Sequence, residues 1–362
     1  MWKLIIAAAF FITAAVVVYI CSRLRRFPFL KRLEEKSNIL SWLASLAMLL
    51  PIGLLILYNV TTMLVVLLHL ALFFAISDLV FLLIRKTTKR EAGPTVRNLT
   101  AIIVTVVYLG IGWIMANHVF VTRYTFKTEK QTGNIRIAQI ADSHVGIILD
   151  GNEFAFQMDR ISSFNPDILV ITGDFVDDDT PYEDMMTACN ALGTVKTTYG
   201  VFYVFGNHDK GYYNSRNFTT AQLRQALESN GVTILEDESV LVDNRFYIIG
   251  RQDRSTRDRA DIADIVKNLD KTKYMIVLNH QPNDYEAEAA AEVDLVLSGH
   301  THGGHIFPAG LVGLLSGAND RAYGTERRGD TTFVVTSGIS GWAVPIKTMC
   351  FSEFVIVDII QD

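Results

Sequence analysis

Four long apolar stretches in the first third of the chain constrain its fold more than any other feature. Each has about 17 to 25 residues, which is long enough for a helix to cross the hydrocarbon core of a bilayer. Backbone N–H and C=O groups find no water there, so a spanning segment of this kind must be helical. We therefore predict a four-helix transmembrane region over residues 1–122, with spans at residues 4–20, 39–58, 60–84 and 99–116.

A cleaved signal peptide is the alternative interpretation of the first stretch. The sequence Cys21-Ser22-Arg23 lacks a small-residue cleavage site, and most basic residues follow the apolar run instead of preceding it. Both features favour a retained membrane span.

The charges of the loops between the spans predict how the chain is oriented. Residues 22–37 hold six Lys or Arg and residues 86–98 hold four, whereas the turn near Asn59 holds none. Cytoplasmic loops of membrane proteins are enriched in Lys and Arg. With four spans, both termini and everything after residue 122 are then expected on the extracytoplasmic side of the cell membrane.

The remainder of the chain is acidic, in contrast to the membrane region. The chain has 33 Lys+Arg and 38 Asp+Glu, of which residues 1–122 hold 12 and 4, leaving 21 and 34. This negative balance argues against nucleic acid as a partner. Three cysteines are too few for a disulfide framework or a thiolate zinc site, although one bridge between Cys189 and Cys350 stays open.

Five predicted strands are each followed at once by polar side chains that can bind metal. After a polar, threonine-rich linker at residues 123–133, predicted strands and helices alternate from residue 134 to residue 362. The carboxyl ends of strands in open α/β sheets are where ligands bind. The strands at residues 135–141, 167–172, 201–205, 274–278 and 293–297 precede the candidate ligands Asp142, His144, Asp174, Asn207, His280, His300 and His302.

This set of oxygen and nitrogen atoms suits two divalent ions about 3.5 to 4 Å apart, provided that one carboxylate is shared. Asp174 is the natural bridge. His300 and His302 lie on either side of one threonine, so two adjacent ions could each take one imidazole. A solvated histidine-rich turn is the alternative for residues 298–305, and the ligands on the other strand ends weigh against it.

The order D-x-H, G-D-x-x-D, G-N-H-D, H and G-H-x-H resembles the calcineurin-like metallophosphoesterase superfamily over residues 134–362. The sequence from Ser298 to Gly304 and the segment 337–346 are similar to its bacterial membrane-associated branch, which includes UDP-2,3-diacylglucosamine hydrolase-like enzymes. His305 departs from that branch, which usually has glutamine there. The resemblance implies an α/β, four-layer sandwich of two mixed β-sheets flanked by helices.

The resemblance also implies a role for each residue of the predicted site. A first metal would be held by Asp142, His144, Asp174 and His302, and a second by Asp174, Asn207, His280 and His300. His208 would stay unligated beside the scissile phosphate, oriented by Asp177, to stabilise charge or to protonate the leaving oxygen. Both ions are expected to be Mn²⁺, Fe²⁺ or Zn²⁺, with Mn²⁺ favoured.

The function expected from these features is metal-dependent hydrolysis of a phosphodiester or pyrophosphate in an envelope or lipid-linked substrate. A UDP-2,3-diacylglucosamine-type pyrophosphatase is favoured by the branch but disfavoured by the predicted topology, because nucleotide-activated lipid precursors are made in the cytoplasm. A non-catalytic membrane sensor with a relic phosphoesterase domain would show a damaged ligand set. The motifs retain all seven candidate ligands, which argues against this alternative.

Overall fold

The computed structural model describes residues 2–212 and 215–362, and the side chains of all these residues except 2–9 and 309. Two compact units make up the chain, Met1–Ile111 and Gly112–Asp362. The boundary lies inside an apolar helix, eleven residues before the predicted end of the membrane region.

The first unit is helical. Helices α5 and α6 are long and apolar enough to cross a membrane, and they match the third and fourth predicted spans. The helices are α1 (Trp2–Leu24), α2 (Pro28–Lys36), α3 (Asn38–Ala47), α4 (Leu50–Gly53), α5 (Val60–Thr88) and α6 (Pro94–Asn117), with a 3-10 turn at Leu54–Leu57.

The second predicted span is not one straight helix. It is bent by 45° between Asn38–Ala47 and Leu50–Leu57, and it counts as a third membrane-crossing element only if the bent pair is taken together. Pro51 explains the break, because proline lacks a backbone N–H and clashes with the preceding turn. The described apolar part of α1 is Phe10–Leu24, which is shorter than a full span. Four spans therefore remain a prediction.

Asp78, a carboxylate within α5, is paired inside the helical unit. Its Oδ1 accepts a hydrogen bond from Arg23 Nη2 at 2.6 Å, and Arg97 Nη1 lies 4.0 Å away. The Arg23 side chain is almost completely buried. An isolated charge in such surroundings would be costly, so this pair links α1 to α5.

The second unit contains two six-stranded mixed sheets, with strand orders β1-β12-β2-β3-β4-β5 and β10-β11-β9-β8-β7-β6. The strands are β1 (Val119–Thr128), β2 (Ile135–Ile140), β3 (Ile168–Thr172), β4 (Val201–Val204), β5 (Val232–Ile234), β6 (Glu238–Val242), β7 (Phe246–Gly250), β8 (Tyr274–Leu278), β9 (Leu295–Ser298), β10 (Gly324–Arg328), β11 (Thr331–Val335) and β12 (Ser352–Gln361).

The two sheets pack face to face and helices cover their outer faces. Side chains such as Ile137 and Val170 of the first sheet meet Ile248 and Leu297 of the second in one buried cluster. The helices are α7 (Gly151–Ser162), α8 (Tyr182–Thr194) and α9 (Thr220–Ser229) on the first sheet, and α10 (Ile262–Val266) and α11 (Tyr285–Ala290) on the second, with α12 (Ala309–Leu315) after β9. The expected four-layer sandwich is thus present.

The parallel strands of each sheet deliver their carboxyl ends to a common edge. Strands β2, β3 and β4 are mutually parallel in the first sheet, and β7, β8 and β9 in the second. The loops after β2, β3, β4, β8 and β9 carry all the predicted ligands. Their convergence follows from strand direction, since loops after parallel strands emerge on the same side.

The prediction of a linker at residues 123–133 is wrong for residues 123–128, which belong to a strand. Val119–Thr128 is strand β1, which pairs in parallel with Ser352–Gln361 over ten residues. Its partner lies more than 200 residues later in sequence, so local patterning could not reveal the pairing. The thiols of Cys189 and Cys350 are both free, so the bridge left open by the sequence does not form.

Glu353 on β12 joins β1 to the loop at residues 336–339, which follows β11. Its carboxylate accepts hydrogen bonds from Thr336 Oγ1 at 2.9 Å, Ser337 N at 3.0 Å and Tyr323 OH at 3.1 Å, and also from Thr122 Oγ1. Glu353 is fully buried. The same loop reaches Asp142, because Ile339 N donates to Ala141 O at 2.9 Å.

Replacing Glu353 by Ala should destabilise the catalytic unit, because it leaves several buried donors without an acceptor. Each such group costs about 1 to 3 kcal/mol. We expect Glu353→Gln, which keeps one acceptor oxygen, to lose less. The measurement is urea unfolding of the full chain in detergent, followed by near-ultraviolet circular dichroism. Equal unfolding free energies for the two variants would contradict this account.

Candidate dinuclear metal centre

The loops that carry the predicted ligands have an unusual backbone. Asp142, His144, Asp174, His300 and His302 all have positive φ, between 37° and 72°. Non-glycine residues adopt this region rarely, and such outliers cluster at functional sites. The strain indicates that the surrounding structure holds these side chains in one place.

Gly206 shows how closely these loops approach each other. A Cβ atom at this position would lie 2.2 Å from Asp174 Oδ1 and 2.4 Å from Asp174 N. Only glycine fits, because no side-chain carbon can come this near to another heavy atom. The glycine before Asn207 is therefore required by the packing of one ligand loop against the next.

A first group of ligand atoms contains Asp142, His144 and His302. The Nε2 atoms of the two imidazoles are 3.2 Å apart, and His302 Nε2 lies 3.8 Å from Asp142 Oδ1. Asp174 Oδ2 is 3.9 Å from His144 Nε2. These four residues are those predicted for the first metal.

A second group contains Asp174, His280 and His300. His280 Nε2 lies 3.1 Å from Asp174 Oδ2 and 3.1 Å from Asn207 Oδ1. The other ring nitrogen, Nδ1, donates to the Thr172 carbonyl at 2.8 Å, which leaves Nε2 as the atom for a metal. With Asn207, these are the four residues predicted for the second metal.

Asp174 belongs to the second group, and its Oδ2 also lies 3.9 Å from His144 Nε2 of the first group. Imidazole nitrogens and carboxylate oxygens converge here, and the Nε2 atoms of His144 and His302 face each other. Such a donor set is well suited to divalent cations. Buried Nδ1 atoms of His300 and His302 also lack any hydrogen-bond partner. The eight positions, with Asp174 counted twice, fit two ions that share one carboxylate.

The protonation of these groups depends on burial and on their neighbours. Burial raises the pKa of Asp142 to about 6. Burial lowers the pKa of His280, but the Asp174 carboxylate outweighs it and raises the pKa to about 10. Burial and the nearby His280 lower the pKa of His300 to about 4. His300 is thus a neutral ligand at pH 7, whereas a metal must displace a proton from His280.

Asp177 organises the residues beside the predicted metals. Its Oδ1 lies 3.3 Å from His208 Nδ1, as the sequence predicted for an orienting carboxylate. The other oxygen accepts a hydrogen bond from Trp342 Nε1 at 2.8 Å and lies 3.0 Å from His144 Nδ1. Asp177 therefore contacts a predicted ligand as well as His208, which the sequence did not indicate.

His208 lies at the rim of the site. Its backbone N–H donates to Asp174 Oδ1 at 2.8 Å, and its ring is 5.5 Å from that of Trp342, centroid to centroid. Burial lowers the pKa of His208, but the Asp177 hydrogen bond and the Asp174 charge outweigh it and raise the pKa above its usual value. This shift favours the protonated imidazole.

Three supporting residues were absent from the predicted site. Asp209 is fully buried and accepts backbone hydrogen bonds from residues 174, 175, 176 and 206, so it shapes two ligand loops. Its place in Gly-Asn-His-Asp was a usable signal. Trp342 donates a hydrogen bond to Asp177, and the buried Lys347 Nζ donates one to Ser337 O at 2.7 Å. Nothing local marked Lys347, because its role depends on the fold.

The described residues also form a third group of metal-capable side chains, His144, Asp177 and His208, and His305 is outside all three groups. Its ring is 5.5 Å from that of His302, and its Nε2 is buried without a hydrogen-bond partner. Burial and the Lys347 charge lower its pKa to about 3. His305 thus lines the site as a neutral imidazole.

Replacing Asp174 by Asn should weaken both ions, because only this carboxylate is predicted to bind both of them. His302→Gln, by contrast, should mainly affect the first ion. The measurement is the metal content of purified variants. Two ions per chain and near-normal turnover in Asp174→Asn would show that another group bridges the metals.

Comparison with known proteins identifies the family. The model of the calcineurin-like phosphoesterases matches residues 135–304. An uncharacterized metallophosphoesterase of Aquifex aeolicus is 34% identical over 248 residues, which are 66% of this chain and 91% of that protein. Two uncharacterized metallophosphoesterases of Helicobacter pylori are each 33% identical over 236 residues, which are 64% of this chain and 60% of those proteins.

Two zebrafish proteins are also similar. A "transmembrane protein with metallophosphoesterase domain" is 26% identical over 245 residues, covering 63% of this chain and 53% of that protein. The crystal structure of a dimetal phosphatase has a TM-score of 0.39 and 11% identity, over 59% of this chain and 88% of that one. On the Aquifex match and the family model, the chain belongs to the calcineurin-like metallophosphoesterases and is a phosphate-ester hydrolase.

Proposed function

We propose that this protein is a membrane-anchored phosphoesterase that hydrolyses a phosphodiester or pyrophosphate in a lipid-linked or envelope substrate. The observation that carries the proposal is the position of Asp174 Oδ2, which lies 3.1 Å from His280 Nε2 and 3.9 Å from His144 Nε2. The family implies a dinuclear divalent site. We propose Mn²⁺ as the preferred ion, with Fe²⁺ or Zn²⁺ as alternatives, since all three accept these imidazole and carboxylate ligands.

The bound ions would supply an acidified water and electrostatic stabilisation of the phosphoryl oxygens. The protein's own contribution is to hold the reacting groups. Asp142 and Asp174 would hold the ions, and the hydrogen bond from His280 Nδ1 to the Thr172 carbonyl fixes the orientation of the His280 ring. His208, held by Asp177, donates its proton to the leaving oxygen or stabilises the charge that develops there.

The membrane segments support a substrate that resides in or on the bilayer. Helices α5 and α6 are long and apolar enough to cross a membrane, and the zebrafish relative is named as a transmembrane protein. A catalytic unit joined to such an anchor meets bilayer-bound substrates at high local concentration. We take a diester or pyrophosphate as the target in preference to a monoester.

Incubation with membrane lipid extracts tests this proposal. The purified full-length protein, loaded with Mn²⁺, is mixed with total lipids, and the phosphorylated species that disappears is identified by mass spectrometry. Asp174→Asn is the matched control. If no lipid species is consumed although the enzyme hydrolyses a soluble nitrophenyl diester, the lipid-linked substrate is wrong.

A relic domain without activity is the competing proposal of another class. It would predict loss of one or more ligands or their separation in space. All seven predicted ligands lie within the two groups or in contact with them. The complete set therefore supports catalysis.

Replacing His208 by Asn should leave the metals bound and lower kcat by roughly 10² to 10⁴, the usual range for a positioned proton donor. Since the pKa of His208 is raised, kcat/KM of the parent should fall as pH rises through that pKa, and this limb should be missing in the variant. An equally large defect with a very acidic leaving group would rule out the proton-donor role and favour charge stabilisation.

We expect the catalytic unit to be extracytoplasmic, because residues 22–37 and 86–98 carry the basic loops. Cysteines at Arg90 and Asn217, both exposed, can be treated in intact cells with a thiol reagent that does not cross membranes. Labelling at Asn217 and protection at Arg90 is the expected result. The opposite pattern would place the domain in the cytoplasm, where a UDP-2,3-diacylglucosamine-type substrate becomes the better candidate.

A further inference from the structure

An uncharged segment follows directly after the histidine-rich loop of the metal site. Residues 306–319 contain no Asp, Glu, Lys, Arg or His, and α12 lies within them. We refer to residues 306–315 as the apolar segment. Five of its large side chains are exposed: Phe307 is 40% exposed, Leu311 41%, Val312 62%, Leu314 41% and Leu315 88%.

Such a surface is unusual for a domain surrounded by water. Single exposed apolar residues are common, but contiguous patches mark contacts with proteins, ligands or membranes. Here five consecutive or nearly consecutive positions are exposed within nine residues. Burial against this unit cannot explain why the segment is apolar.

The apolar segment also forms one wall of the metal pocket. A cavity of about 270 Å³ is lined by His300 and His302 and also by Gly310, Gly313 and Leu314 of the apolar segment. The apolar segment packs closely on the histidine-rich loop, since a Cβ on Gly310 would lie 2.4 Å from Gly304 Cα. Whatever covers the outer face of α12 is therefore one helix away from the metals.

The base of the apolar segment is joined to the end of helix α6 within the catalytic unit. Phe307 N donates to Thr348 Oγ1 at 2.9 Å, and Thr348 N donates to His305 O at 2.9 Å. The neighbouring Lys347 N donates to Gly112 O at 2.9 Å. A Cβ on Gly112 would lie 3.0 Å from Thr348 Cγ2, so α6 and the loop at residues 346–348 touch.

This connection argues for one occupant of the exposed face. The last turns of α6 expose Trp113 and Ile114, at 56% and 50%, and they belong to a helix apolar enough to cross a membrane. Tryptophan is enriched where such helices leave the bilayer. The apolar segment is thus linked through residues 347–348 to the end of a helix that is apolar enough to cross a membrane, and it carries no charge to oppose insertion.

We propose that residues 306–315 form an interfacial element that inserts into the lipid bilayer beside the end of α6. An interfacial helix buries its apolar face about 5 to 10 Å into the boundary between headgroups and acyl chains. Insertion would hold the pocket lined by His300 and His302 at headgroup level. This last consequence, the presentation of a lipid-linked phosphate to the metals, rests on the proposed function.

The test measures depth in the membrane and needs no activity. Full-length protein carrying Val312→Cys, or Leu315→Cys as a second variant, is labelled with a polarity-sensitive fluorophore and reconstituted into phosphatidylcholine vesicles. Lipids with a nitroxide near the headgroup or deep in the acyl chain serve as quenchers. Leu241→Cys on β6, the edge strand at the far end of the second sheet from β10, is the matched control because Leu241 is 40% exposed.

We expect blue-shifted emission and strong quenching by the shallow nitroxide at position 312 or 315, and neither at position 241. The unsubstituted chain, treated in the same way, corrects for labelling of the native cysteines. Emission and quenching equal to those of Leu241→Cys in both variants would overturn the proposal, as would shielding by a second protein copy without lipid quenching. Failure of the lipid-hydrolysis assay leaves this readout unchanged, so the two proposals can fail separately.

Discussion

Two carboxylates buried in one pocket set the electrostatic requirement that the rest of the catalytic unit meets. Asp142 is fully buried and Asp174 is 2% exposed. Burying an ion costs several kcal/mol unless other charges and hydrogen bonds compensate. His300 N donates to both oxygens of Asp142, and His208 N donates to Asp174 Oδ1. The remaining lone pairs face imidazoles, which is the arrangement that a pair of divalent cations completes.

Holding these groups in place requires support from outside the ligand set. Five of the ligands have positive φ, and each such residue costs on the order of 1 to 3 kcal/mol. Asp209 ties the loops after β3 and β4 together through four backbone donors. Glu353 and Lys347 hold the loop at residues 336–338, which packs against Asp142. The strained geometry persists because these buried networks leave the loops no alternative.

The catalytic unit is also linked to apolar surface. Residues 112–117 of α6 belong to this unit, and β1 begins two residues after the helix ends. The loop at residues 346–348 contacts both Gly112 and the base of the apolar segment. A short path of hydrogen bonds therefore connects a membrane-compatible helix to the wall of the metal pocket. This path gives a physical reason to expect catalysis at a lipid surface.

The sequence alone predicted the family and the candidate ligands, because each motif is local, and the resemblance to that family implied the sandwich. A strand that ends in Asp-x-His or Gly-Asn-His-Asp carries its ligands within three residues, and strand direction then brings them to one edge. Helix α5 was also predicted from the sequence, at residues 60–84, since hydropathy and length suffice to indicate a helix that could cross a membrane. Only the tertiary structure could decide features that depend on partners distant in the chain. The sequence predicted a linker where strand β1 lies, because its partner β12 is far away in the chain. The contacts of Asp177 with His144 and Trp342 likewise depend on the fold. The exposure of α12 beside the pocket lined by His300 and His302 could be seen only in the structure.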